Sequence, residues 1–128
     1  MSFAPRAKSE NRLFFIYVTV SGMREAKKIA RMIVAERLAA CANIIGGMHS
    51  LYWWNGKIEE AREVVLVFKT TKSQLDRLIA RVTALHSYEC PAIVALPIEA
   101  GFLPYLDWIA AETGAPPKTR RKARYLST

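Results

Sequence analysis

The pair Asn55-Gly56 divides two long extended stretches, "ACANIIGGMHSLYWW" (40–54) and "KIEEAREVVLVFKTT" (57–71). Asn-Gly is a strong hairpin signal, because both central residues of a type I′ turn need positive φ. The chain is therefore constrained to contain one long antiparallel ribbon. Fourteen residues from Cys41 to Trp54 reach about 45 Å in extended form, whereas a common strand has about 5–6 residues. The tip must project beyond any sheet the ribbon joins. Side chains alternate across a strand, so Trp53 and Trp54 point to opposite faces. Gly46-Gly47 interrupts the first arm and marks a bulge or bend.

The rest of the pattern supplies the other elements. "LFFIYVTV" (13–20) reads as a strand buried on both faces. Ser21 is placed to cap a helix over 22–38. There Ala26, Ile29, Ala30, Ile33, Val34 and Leu38 form the apolar side, and Arg24, Lys27, Lys28 and Arg31 the other. Thr71 to Gln74 has capping-box spacing, followed by the stripe Leu75, Leu78, Ile79, Val82 and Leu85. "HSYECP" is a loop and "AIVALPI" (92–98) a fourth strand, where Pro97 suits an edge or a terminus. Pro104 suits the first turn of a short last helix, and Gly114 its stop. The order β-α-β-β-α-β is the split-βαβ, ferredoxin-like pattern of the α+β class. Right-handed crossovers put both helices on one face of an antiparallel sheet.

The other face of that sheet is unusual. A sheet wet on one side alternates between apolar and polar residues. "VVLVF" (64–68), "FFIYV" (14–18) and "AIVAL" (92–96) do not alternate. One short C-terminal helix covers only part of a second apolar face, so a further subunit is expected to cover the rest. Tyr52, Trp53 and Trp54 at the projecting tip form an apolar patch of the kind that marks an interface. The plainer alternative is that the Gly46-Gly47 bend folds the tip back on its own sheet.

The 128 residues fit one domain. Three segments are expected: a flexible N-terminus (1–12), the ferredoxin-like domain (13–114) and a basic, disordered tail (115–128). The formal net charge is +8, and the two ends carry nearly all of it, Lys118, Arg120, Arg121, Lys122 and Arg124 in the tail alone. Such a tail either stays solvated or contacts nucleic acid weakly and salt-dependently. Nothing matches the aromatic motif by which sheet faces stack RNA bases. No stretch has the roughly 20 apolar residues of a membrane span, and "MSFAPRAKSENR" lacks the apolar core of a secretory signal. Cys41 and Cys90 are far apart and outside any paired motif, so a reducing cytoplasm is expected.

Several residues bear chemistry. His86, Glu89 and Cys90 offer imidazole, carboxylate and thiolate within one loop, which suits copper or zinc, and His49 lies on the hairpin. The spacing is not that of a structural zinc site. His86 could equally hydrogen-bond loop backbone. Cys41 follows a helix C-terminus, where the dipole disfavours a thiolate, and reads as a small buried hydrophobe. No glycine-rich phosphate loop is present.

"ERLAACANI", "SLYWWNGKIEE", "VLVFKTT", "LHSYECPAIVALPI" and "YLDWI" together resemble the CutA family of divalent-cation tolerance proteins, over Phe14 to Ala111. The resemblance implies a tight homotrimer, similar in shape to the PII signalling proteins, whose long hairpins extend sheets between subunits. It implies binding of Cu(II) or a related divalent cation, no organic cofactor and no catalysis. A second implication is a PII-like sensor of small ligands in inter-subunit clefts, lined at positions matching Lys69, Glu59, Tyr88, Glu89, Tyr105 and Trp108. The family's proposed copper ligands, a cysteine and two adjacent histidines, fall at Val18, Leu85 and His86. Only His86 keeps the residue type, and Ser87 replaces the usual proline.

Overall fold

The computed structural model describes residues 12–115. The expected N-terminal segment (1–12) and tail (115–128) lie, apart from Arg12 and Ala115, outside the described residues. Seven elements follow in the order β1 (Leu13–Val20), α1 (Met23–Ala35), β2 (Cys41–Trp54), β3 (Lys57–Thr71), α2 (Lys72–Leu85), β4 (Ile93–Pro97) and α3 (Leu103–Glu112). The four strands form one antiparallel sheet in the order β2-β3-β1-β4. This is the split-βαβ arrangement with an added helix, as the order of the sequence signals predicts.

One face is closed by α1 and α2. Phe14, Ile16, Val18 and Val20 stand opposite Thr70, Phe68, Leu66 and Val64 in the β1/β3 register. The apolar members of this set pack with Ala26, Ile29 and Ile33 of α1 and Leu75, Leu78 and Val82 of α2. The apolar stripes read at helical spacing thus become one core. Thr70 is the polar exception, and its hydroxyl donates to the Leu38 carbonyl at 2.6 Å, which satisfies both buried groups.

The helix ends differ from the sequence reading. The N-cap of α1 is Gly22, without a side-chain cap. Ser21 instead donates its hydroxyl to Glu25 at 2.7 Å. Helix α1 stops at Ala35 rather than near Leu38, because Arg37 adopts φ 59°. Arg37 N–H then donates to the Val34 carbonyl and Leu38 N–H to the Ile33 carbonyl, the paired bonds of a Schellman stop. Arginine tolerates this left-handed position where its guanidinium is held by the Glu112 carbonyl and carboxylate. Thr71 caps α2 by position only. Its hydroxyl meets Ser73 at 3.0 Å, so the capping box is not formed.

The hairpin follows the Asn-Gly prediction, with φ 50° at Asn55 and 76° at Gly56. β1 pairs with β3 only from Val64 onward, whereas β2 follows β3 down to Lys57. The ribbon beyond Val64 therefore projects past the sheet. Gly46 and Gly47 together face one residue of β3 between the pairs Ile45/Val65 and Met48/Glu63. This bulge changes which residues of β2 share a face. Before it Cys41, Asn43 and Ile45 lie on the face away from the helices. After it Met48, Ser50, Tyr52 and Trp54 do.

That second face is covered only in part. Helix α3 lies over it and buries Ile109 completely, with Val65 and Val67 also buried. Val94 (51% exposed) and Leu96 (49%) of β4 and Trp54 (49%) of the tip stay open on this face, and Trp53 (72%) stays open on the other face of the ribbon. The tip does not fold back onto its own sheet. Phe68→Ala, at a fully buried core position, is expected to lower unfolding stability by about 3–5 kcal/mol in a denaturant titration.

Candidate functional site

A groove of about 740 Å³ runs over the open face, between the projecting ribbon and the α2–β4 loop. Strands β1 and β3 give it Tyr17, Thr19, Glu59 and Glu63, β2 gives Ser50, Tyr52 and Trp54, and the loop gives Tyr88, Glu89 and Cys90. Its lining contains three carboxylates and no lysine or arginine. In a chain of net charge +8, this is a locally electronegative concavity.

The loop is held by His86 and Glu25. His86 is buried, and its Nε2–H donates to the Thr19 carbonyl at 2.7 Å. Its Nδ1 accepts the Tyr88 backbone N–H at 3.1 Å. Both ring nitrogens are thereby engaged by backbone, which fixes the tautomer. Glu25 Oε2 lies 3.8 Å from Nδ1, and an ion pair there would require protonation and loss of the Tyr88 bond. Ser87 donates both its backbone N–H and its hydroxyl to Glu25, at 2.8 and 2.9 Å. Burial pushes the Glu25 carboxyl up, but the donors from Ser21 and Ser87 outweigh it and hold the carboxyl below the usual range.

Tyr88 carries this placement into the groove. Its ring packs against His86 with centroids 4.7 Å apart, and its hydroxyl donates to Glu63 at 2.8 Å. Burial first, then the Glu63 carboxylate, push the Tyr88 phenol far above its ordinary range. Tyr88 stays a neutral donor at any working pH.

The structure sorts the residues singled out in the sequence into three places. Glu59, Tyr88, Glu89 and Cys90 line the groove. Lys69, Tyr105 and Trp108 gather elsewhere on the same face, under α3. There Lys69 donates to Asn43 at 2.8 Å and stands 5.7 Å from the Tyr105 ring centroid, and Tyr105 stacks on Trp108. Within one chain, the expected cleft is therefore two separate clusters. His49 is the third case: the bulge gives it the other strand parity, opposite Arg62, yet it remains part of the groove's lining. Among the described residues, no three His, Cys, Asp or Glu side chains converge as a metal cage would require. Cys41 is half-buried rather than buried, with Sγ 3.8 Å from the Tyr105 hydroxyl.

Sequence reasoning missed Glu63, Tyr17 and Glu25. Glu63 was legible in principle, being four residues from Glu59 and so on the same strand face. Tyr17 is the one hydroxyl in "FFIYV", and it donates to Met48 Sδ at 3.5 Å. Glu25 gave no signal, because its partner Ser87 is 62 residues away.

Two outcomes follow from this geometry. Tyr88→Phe leaves the buried Glu63 carboxylate without its donor and is expected to cost about 1–3 kcal/mol by denaturant titration. The Glu25 carboxyl has its pKa lowered in the folded state, so its contribution is present above the unfolded value of 4.5 and is lost as pH falls through the folded one. Glu25→Gln should therefore lower the melting temperature at neutral pH and flatten its decline on acidification below that value.

Comparison with known proteins agrees with this architecture. The family model described as CutA1 divalent ion tolerance protein matches residues 14–112. The divalent-cation tolerance protein CutA of Thermus thermophilus is 46% identical over 99 residues, covering 77% of this chain and 96% of that one. The chloroplastic protein CutA 1 of Oryza sativa is 45% identical over 98 residues, and the match spans only 55% of its length. The solved Thermus thermophilus Cut A1 structure superposes with a TM-score of 0.78 at 45% identity, covering 80% of this chain and 99% of that one. The Oryza sativa CutA1 structure superposes at 0.79 with 41% identity, covering 84% and 98%. With a family model spanning nearly all the described residues and close relatives sharing the fold, the chain belongs to the CutA1 divalent ion tolerance family.

Proposed function

We propose that this protein acts in divalent-cation tolerance as a homotrimer, by binding a metal ion, Cu(II) foremost, and not by catalysis. The observation that carries this reading is the groove: carboxylates of Glu59, Glu63 and Glu89, the thiol of Cys90 and the imidazole of His49, with no lysine or arginine in its lining. A divalent cation is drawn to such a field, and carboxylate with thiolate is a donor set that copper and zinc accept. Glu89 and Cys90 are exposed on the loop and serve as ligands. His86 stands behind them, and would itself ligate only by giving up its bond to Thr19 or to Tyr88.

The trimer completes the site under this reading. Among its described residues one chain does not gather three donors, and it leaves Val94, Leu96 and Trp54 open on this face. A neighbour packed on this face buries that apolar surface and brings its own groups to the rim of the groove. It also allows one chain's Lys69, Tyr105 and Trp108 to meet another's Glu59 and Tyr88. Both cysteines are free, which supports a reducing compartment, the cytoplasm. Among the described residues, no helix is long and apolar enough to cross a membrane.

Light scattering is expected to give three times the chain mass, and Trp53→Ser combined with Trp54→Ser to give smaller species. Calorimetric titration with Cu(II) and Zn(II) should show saturable binding. Glu89→Gln with Cys90→Ser should weaken it by about tenfold or more, on the scale by which supporting residues of metal sites act. Unchanged affinity in that variant would remove the loop from the site.

A further inference from the structure

We propose that the solvent face of α1 is a docking surface for a nucleic-acid backbone. Arg24, Lys27, Lys28 and Arg31 occupy positions i, i+3, i+4 and i+7 of the helix, all of them exposed. With Met23 they line a shallow, open groove of about 470 Å³. This surface lies on the helix side of the sheet, away from the acidic groove.

Among the described residues, the four cations have no ion-paired counter-charge. Exposed Arg81 is paired with Glu36 at 2.9 Å, and Arg37 with Glu112. Among the described residues, none of the four has a carboxylate partner. The one acid nearby on α1, Glu25, is spent on Ser21 and Ser87. Like charges at i,i+3 and i,i+4 destabilise a helix, and this row contains four such pairs. Arg24 also lies at the N-terminal end, where the helix dipole disfavours a cation. The first turn has no side-chain cap, so its N–H groups add to the attraction for an anion. A bound polyanion would relieve each of these conflicts.

Charge density selects the partner. The row spans about 10 Å, at 1.5 Å rise per residue. A duplex carries one charge per about 1.7 Å of its axis, both strands counted, or about six along that length. An extended acidic peptide presents a side chain on one face only about every 6.6 Å, or one to two charges. A bilayer fits less well. The apolar side of α1, Ala26, Ile29, Ala30 and Ile33, is buried in the core, which leaves Met23 alone to insert, and a groove accepts a strand better than a plane. Contacts to phosphate carry no base sequence, so binding should be sequence-tolerant.

The test uses the full chain and a fluorescent mixed-sequence DNA duplex, with anisotropy followed across salt concentration. The comparison protein carries Arg24→Gln, Lys27→Gln, Lys28→Gln and Arg31→Gln, exposed changes to a good helix former. It should melt no lower than the parent, because four repulsive pairs are gone. Each lost phosphate contact lowers the slope of log affinity against log salt by about 0.9, so the slope should fall by about 3, whatever the duplex sequence. Equal slopes for the two proteins would assign binding to the terminal segments and overturn the proposal. So would absence of duplex binding by the parent, or tighter binding of anionic vesicles or polyglutamate than of DNA.

Discussion

A sheet that is apolar on both sides has to be covered on both sides, and this chain carries enough helix for one side and a fraction of the other. Helices α1 and α2 close the face built on Phe14, Ile16, Val18, Leu66 and Phe68. Helix α3 closes the part of the second face around Val65, Val67 and Ile109. The remainder, from Val94 and Leu96 to Trp54 at the tip, is apolar surface without intrachain cover. Burial of apolar area is the main favourable term in association as in folding. The position of the acidic groove on this same face ties the proposed metal site to the proposed assembly, because a subunit that buries the face also encloses the groove.

The bulge at Gly46-Gly47 has consequences out of proportion to its size. With an unbroken alternation, Ile45 and His49 would share a face. With two residues opposite Val64, the parity of β2 reverses. Tyr52 and Trp54 then fall on the face of Glu59 and Glu63, and His49, with the opposite parity, still contributes to the groove's lining. One extra residue decides which side chains meet the loop that carries Glu89 and Cys90.

That loop is positioned by a chain of contacts from α1 to β3. Glu25 binds Ser87, His86 bridges Thr19 and Tyr88, and Tyr88 reaches Glu63. His86 illustrates why residue type alone misleads. An imidazole beside a carboxylate and a thiol resembles a ligand set in one dimension, yet its two nitrogens satisfy backbone groups that would otherwise be buried without partners. Glu25 serves two ends. It anchors the loop, and by turning inward it leaves the cations of α1 without a neutralising neighbour.

The elements and their order can be read from the residue pattern alone. Periodicity of 3.6 or 2 reports burial directly, and Asn55-Gly56 has few backbone alternatives, so the hairpin, the helical stripes, the split-βαβ order and the surplus apolar face were all legible. The residues of the groove loop were legible as chemistry, since Glu89, Cys90, Tyr88 and Glu59 do line it. Helix ends were not, because Arg37 takes a left-handed position that arginine seldom occupies and depends on Glu112, 75 residues away, to hold it. The state of His86, the separation of Lys69, Tyr105 and Trp108 from Glu59 and Tyr88, and the strand parity of His49 were set by folding. Each of these depends on register and on contacts distant in sequence, and local pattern carries no information about either.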